Sequence, residues 1–223
     1  MMALPMEPFN EQKTGMPKIG DRAPEFKAKT TFGDRSLSDY RDKWVVLFSH
    51  PADFTPVCTT EFLAFAENYS SFADRNVELI GLSVDSLSAH LAWVNNIREK
   101  TGTEIPFPVI ADLTTEVARK FGMIHDHASE TATVRCVFVI DPQQIIRAII
   151  YYPMNVGRNI KEILRLVDAL QMADKHSVAA PANWERDEPV VVPPPQNVND
   201  LKKRLDSPQG CEVTDWYLVK KKI

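Results

Sequence analysis

Short apolar runs alternate with segments of helical spacing along most of this chain. The run WVVLFS (Trp44–Ser49) is apolar almost throughout and carries two valines, Val45 and Val46, as suits a strand buried on both faces. The segment from Thr55 to Phe72 carries Phe62, Ala66, Tyr69 and Phe72 along one stripe and predicts a single helix. VELIGLSV, from Val77, predicts a second buried strand. A helix from about Ser86 to Lys100, a strand over Phe107–Ala111 and a helix over Thr114–Phe121, stopped by Gly122, continue the alternation. VRCVFVI, the turn DPQQ and IIRAIIYY read as a β-hairpin, followed by a helix from about Arg158 to Met172. This order predicts an α/β chain with a mixed central sheet, which suits a thioredoxin-like fold.

The flanks differ from this core. EFKAKTTFGDRSLSDY predicts a small N-terminal hairpin turning at Gly33 and Asp34. EPVVVPPPQ (Glu188–Gln196) is Pro-rich and extended, and a short charged helix over about Asn199–Leu205 follows it. Residues 174–223 therefore read as an extended C-terminal arm, which could lie across a partner subunit or pack on its own domain. The opening stretch MMALPMEPFNEQKTGMPKIG lacks the apolar run of a secretory signal, and residues 1–18 read as a flexible lead-in. Residues 19–173 form the expected principal domain.

Composition narrows the function classes. The chain has 223 residues, 44% hydrophobic and 25% charged, enough for one sizeable core with an appendage. A net charge of −4 offers no footprint for nucleic acid, and the basic run Lys220–Lys222 reads as a solvated tail. The most apolar region, Val134–Tyr152, is broken by Arg135, Asp141, Pro142 and Arg147, so it cannot supply the roughly 20 apolar residues of a membrane span. A soluble, cytoplasmic protein without nucleic-acid or membrane partners is expected. Three scattered cysteines, Cys58, Cys136 and Cys211, form neither a disulfide framework nor a zinc site and point to a reducing compartment. His125 and His127 flank Asp126 in an expected surface loop and read as solvated rather than metal-binding.

Candidate chemistry centres on Cys58 in HPADFTPVCTTE. The strand before it stops at Pro51, Thr55 is a plausible N-cap, Pro56 suits the first helical position, and Cys58 falls in the first turn. Unpaired backbone N–H groups and the helix dipole favour a thiolate there. An ordinary thiol with a pKa of about 8.5 is a few per cent ionised at neutral pH, and lowering it to about 6 raises the thiolate fraction roughly thirtyfold. Nucleophilicity falls with pKa, so fast chemistry also needs donors aimed at the developing charge. Thr55 is one candidate donor. Arg135 is another, sharing a strand face with Val137 and Val139 while Cys136, Phe138 and Ile140 take the opposite face. An arginine in so apolar a strand needs an anionic partner. The Cys58 thiolate and the Glu61 carboxylate are both open to that role. Cys136 reads as a small buried hydrophobe.

SHPADFTPVCTTE resembles the active-site signature of the peroxiredoxins, specifically their 1-Cys, peroxiredoxin 6-like branch of bacterial and archaeal type. TVRCVFVIDPQQ is similar to that family's arginine strand, YYPMNVGRNIKEILRLVDALQ to its GRN segment and helix, and VAAPANW with VVVPPP to its C-terminal arm. The resemblance implies a thiol peroxidase that reduces hydrogen peroxide and organic hydroperoxides, needs no cofactor or metal, draws on an external thiol of thioredoxin, glutathione or other type, and assembles as a homodimer or higher homo-oligomer. It implies Cys58 as peroxidatic nucleophile, Thr55 as hydrogen-bond partner of sulfur and peroxide, Arg135 as stabiliser of thiolate and transition state, Pro51 as shield, and His50, Glu61 and Arg158 as pocket supports.

Some relatives carry a resolving cysteine in the arm. Here CEVTDWYLV has Cys211 displaced from Asp215 and Trp216 and Val219 where a later cysteine is expected, so Cys211 reads equally as a resolving cysteine or an exposed bystander. The phospholipase serine of some animal relatives is replaced by Lys43 in SDYRDKWVV, which rejects that activity. CTTE lacks the second cysteine of a disulfide reductase. The remaining rival is a non-enzymatic holdase or a peroxide-sensing switch.

Overall fold

The computed structural model describes residues 16–206 and 210–223, so most of the expected lead-in lies outside the described residues. A seven-stranded mixed sheet runs through the molecule in the order β2-β1-β5-β4-β3-β6-β7. Its strands are β1 (Lys27–Thr30), β2 (Gly33–Ser36), β3 (Trp44–Ser49), β4 (Val77–Ser83), β5 (Val109–Ala111), β6 (Arg135–Ile140) and β7 (Ile146–Tyr152). β3 lies inside the sheet, where it pairs parallel with β4 and antiparallel with β6. All of its residues are buried, which is why its sequence shows no polar alternation.

Helices α1 (Pro56–Glu67), α3 (Leu87–Thr101) and α5 (Ile160–His176) cover one face, where Phe48 and Leu79 of the sheet meet Phe62, Phe65, Trp93, Ile163 and Val167. Burying an aromatic ring such as Phe62 contributes roughly 2 to 3 kcal/mol. Gly81 of β4 makes room for that ring, since a Cβ there would stand 3.3 Å from Phe62 Cζ. The short α4 (Glu116–Lys120) and the N-terminal segment around Phe26 and Leu37 cover the other face, against Leu47, Ile80 and Phe138. The predicted thioredoxin-like α/β fold with its mixed sheet is therefore found.

Three local expectations are corrected. The helix over 55–72 is two helices, α1 and α2 (Tyr69–Ala73), because the side chain of Asn68 donates to the Ala64 carbonyl at 2.8 Å and its backbone leaves helical geometry at ψ 8°. The N-terminal hairpin turns at Thr31 and Phe32, ahead of the expected Gly33 and Asp34: the Thr30 hydroxyl accepts from Phe32 N–H and donates to the Gly33 carbonyl. Gly33 itself opens β2 with φ +85°, a conformation glycine adopts without strain. The helix from Arg158 begins at Ile160, capped by Asn159, and runs to His176.

The arm is also more structured than its sequence implied. β8 (Val190–Val191), β9 (Cys211–Asp215) and β10 (Leu218–Lys221) form a three-stranded antiparallel sheet in the order β8-β10-β9, and α6 (Val198–Leu205) lies between β8 and β9 in the chain. Val178, Trp184 and Val190 pack on Ala169 and Met172 of α5, so the arm anchors on its own domain. Among the described residues no helix is long and apolar enough to cross a membrane.

Candidate active site

Cys58 stands in the first turn of α1, directly beyond the loop that leaves β3, with Thr55 at the N-cap and Pro56 at the first helical position. Thr55 makes no side-chain capping bond. Its hydroxyl instead donates to the Ala52 carbonyl at 2.9 Å, so its lone pairs are what it offers to a ligand. The orphan N–H groups of the first turn gain no cap from Thr55, and the sulfur sits at this positive helix end. Cys58 is fully buried, whereas Pro51 and Thr55 of the same loop are half-buried.

Arg135 opens β6, and the alternation that sends Val137 and Val139 to the α1 face sends its side chain there as well. Its Nη1 donates to Cys58 Sγ at 3.2 Å and to Glu61 Oε2 at 2.7 Å, so the thiol and the carboxylate share the guanidinium. Its Nε and Nη2 both donate to the Met154 carbonyl, at 2.9 and 2.7 Å, which fixes the plane of the group. Glu61 lies one helical turn beyond Cys58 and is buried. It accepts from the Nε, Nη2 and backbone N–H of Arg158, at 2.9, 2.6 and 2.9 Å. Arg158 Nη1 completes the frame by donating to the carbonyls of Ser49 and Cys136 at 2.8 and 3.0 Å.

Charge explains why this cluster needs the sulfur. Two buried guanidiniums face one buried carboxylate, which leaves a surplus of one positive charge. An uncompensated buried charge costs several kcal/mol, and a thiolate at Cys58 brings the cluster to neutrality. Glu61 thereby serves two purposes: it makes a pair of buried arginines tolerable, and it aims Arg135 at the sulfur.

His50, at the end of β3, is fully buried and donates from Nε2 to Asp53 Oδ1 at 2.8 Å, while its Nδ1 has no partner among the described residues. Burial lowers its pKa, against the raising effect of Asp53, so the ring is neutral. The second oxygen of Asp53 lies 2.7 Å from Nδ1 of His90 on α3. Burial tends to raise the Asp53 carboxyl, and the hydrogen bonds from His50 and His90 outweigh it and hold the group below the usual carboxylate range. The ligand atoms of His50, Asp53 and His90 come within 4.8 Å of one another. They satisfy one another with hydrogen bonds, and a cation there would drive the His50 proton onto Nδ1, where it meets no acceptor. The trio fits a hydrogen-bonded network better than a metal centre.

The other two cysteines lie apart. Cys136 points to the opposite sheet face and is fully buried, and burial pushes its thiol up to about 11. Cys211 begins β9, half-buried, with Lys221 as its strand neighbour. His125, Asp126 and His127 are exposed. Sequence reasoning missed Asp53 and His90. The i,i+3 spacing of His50 and Asp53, and the place of His90 on the Trp93–Ile97 stripe, were the available signals.

The AhpC/TSA family matches residues 19–149, and the C-terminal domain of 1-Cys peroxiredoxin matches residues 169–207. "Peroxiredoxin 2" of Caldanaerobacter subterraneus subsp. tengcongensis is 58% identical over 214 residues, covering 96% of this chain and 97% of that protein. The peroxiredoxin of Aquifex aeolicus is 57% identical over 219 residues, covering 93% and 98%. Among solved structures, the yeast mitochondrial 1-Cys peroxiredoxin, described for its thiol resolving mechanism via glutathione and thioredoxin systems, superposes with a TM-score of 0.82 at 41% identity, covering 93% of this chain and all of that one. With the signature around Cys58 and the arm both matched, the chain belongs to the peroxiredoxin family, the thiol-dependent peroxidases of antioxidant defence.

Proposed function

We propose that Cys58 is the peroxidatic nucleophile and that the Arg135–Glu61–Arg158 frame is its electrostatic support. The observation that carries this reading is the 3.2 Å contact between Arg135 Nη1 and Cys58 Sγ inside a cluster one negative charge short of neutrality. The thiolate attacks one peroxide oxygen, the O–O bond breaks, and Cys58 becomes a sulfenic acid while hydroxide or alkoxide leaves and takes a proton to give water or alcohol. Arg135 donates to the charge that passes from sulfur to the oxygens, Thr55 accepts the peroxide O–H, and Pro51 shields the sulfur from bulk water. His50 supports the wall of the pocket.

Regeneration begins, in this reading, with Cys211 of a neighbouring subunit. Its thiol attacks the sulfenic acid, a disulfide forms and water leaves; an external thiol of thioredoxin or glutathione type then reduces the disulfide. Cys211 is the half-exposed thiol, whereas Cys136 is sealed in the core. A symmetric homodimer is favoured by β7, which ends the sheet, has no strand partner on its outer side among the described residues, and contains no proline along IRAIIYY. Three free thiols suit a reducing compartment such as the cytoplasm. Peroxide consumption with a thiol reductant tests the enzymatic reading. Many turnovers per subunit support it, and a single turnover would reduce the protein to a peroxide-sensing switch.

A further inference from the structure

His90 is a fully buried histidine whose two ring nitrogens both face acceptors. Its Nε2 lies 3.1 Å from the carbonyl oxygen of Ile110 on β5, and its Nδ1 lies 2.7 Å from Asp53 Oδ2. A carbonyl oxygen brings no proton and a carboxylate oxygen is an acceptor, so only a ring with a proton on each nitrogen, an imidazolium, satisfies both contacts at once. Its charge is balanced by Asp53, the carboxylate in direct contact. His50 is the other titratable group on that carboxylate, and Asp85 stands behind the loop, accepting the Asp53 backbone N–H at 3.0 Å and the Ser83 hydroxyl at 2.7 Å.

What this network holds is the loop from Pro51 to Thr55. Phe54, the residue after Asp53, has φ +55°, in the left-handed region, and its side chain is exposed. For a bulky aromatic residue that conformation is strained, and it persists where neighbours over-determine it. The neighbours here are Asp53, tied through its side chain to His50 and His90 and through its backbone to Asp85, and Thr55, tied to Ala52.

We propose that the buried His90–Asp53 ion pair is a positioning device for the peroxide reaction: it clamps the strained 51–55 loop so that the Thr55 oxygen stays aimed at the peroxide and the His50 proton stays on Nε2. The inference rests on the peroxidase reading of Cys58. Neither residue touches the sulfur, so the pair acts on the presentation of peroxide and leaves the thiolate itself unchanged.

Two measurements test it. Nitrogen-15 spectra of the ring-labelled full-length protein at about pH 7 should show His90 with both nitrogens protonated and His50 with one; a neutral His90 overturns the proposal without any variant having to fold. His90→Gln and Asp53→Asn should each slow Cys58 oxidation by hydrogen peroxide about tenfold or more while changing its alkylation by iodoacetamide less than about twofold, because alkylation needs the thiolate but not the peroxide acceptors. Unchanged peroxide rates, or peroxide and alkylation rates falling together, would reduce the pair to a fold element and overturn the proposal. Should wild-type Cys58 itself fail to react with peroxide, the peroxidase reading falls, and the spectra still report independently on the state of His90.

Discussion

Arg135 Nη1 stands 3.2 Å from Cys58 Sγ, held by two bonds from its other nitrogens to the Met154 carbonyl. The guanidinium is thus fixed before any substrate arrives, and in the proposed reaction it meets the developing charge without a reorganisation cost. Arg135→Met is expected to slow peroxide attack about a hundredfold, on the order of 3 kcal/mol for a lost transition-state donor. Alkylation of Cys58 should slow as well, because the variant removes the donor that faces the sulfur. Stopped-flow oxidation of the variant at the wild-type rate would assign Arg135 to Glu61 alone.

Glu61→Gln removes the carboxylate that two buried guanidiniums share and leaves the cluster with uncompensated positive charge. Breaking such a buried arrangement costs about 3 to 5 kcal/mol, so the urea midpoint of the reduced protein should fall markedly. A midpoint within error of wild type would show that the cluster does not depend on this charge.

Cys136 gives a pH dependence of known sign. Its native thiol stays protonated up to about 11, against an ordinary value of 9.0, so unfolding releases a proton between these values and stability falls as pH rises above 9. The loss reaches roughly 2 to 3 kcal/mol at the upper end, and Cys136→Ala should show a shallower alkaline decline. At about pH 8 roughly one native Cys136 in a thousand is ionised, so it should resist iodoacetamide while Cys58 and Cys211 react. Rapid labelling of Cys136 would mean that its side of the core opens readily.

The C-terminal arm supplies a test of regeneration. Peroxide-treated wild type should yield a covalent dimer on a non-reducing gel, and Cys211→Ser should abolish it. The same dimer in the variant would leave Cys211 a bystander and reduction of Cys58 to an external thiol alone. Light scattering at micromolar concentration should give a species heavier than one 25.2 kDa chain.

Most of the sheet, and the residues around the sulfur, could be read from the sequence because their signals are local or periodic. β3 shows as an unbroken apolar run, and Arg135 is conspicuous as a charge among valines. The partners of Arg135 were harder to read. Glu61 could be named as a carboxylate near the helix start, but that thiol and carboxylate share one nitrogen is a fact of three-dimensional approach. The Asn68 break was hidden because the stripe continues through Tyr69 and Phe72 while one side chain competes for a carbonyl. The arm sheet left little trace because β9 is exposed along most of its length, so no buried face imposes an alternation. His90 lies on the apolar stripe of α3, where a histidine resembles core filling until its two acceptors are seen.

The measurement that bears most directly on the central claim is the reaction of Cys58 and Cys58→Ser with one equivalent of hydrogen peroxide, followed by stopped-flow fluorescence and by intact mass. Wild type should consume the peroxide rapidly and gain one oxygen at Cys58, or lose two hydrogens where the sulfenic acid has gone on to a disulfide. The serine variant should keep its fold, its mass and the peroxide. Rapid peroxide reduction by Cys58→Ser, with Cys136 and Cys211 still present, would contradict the assignment of the nucleophile.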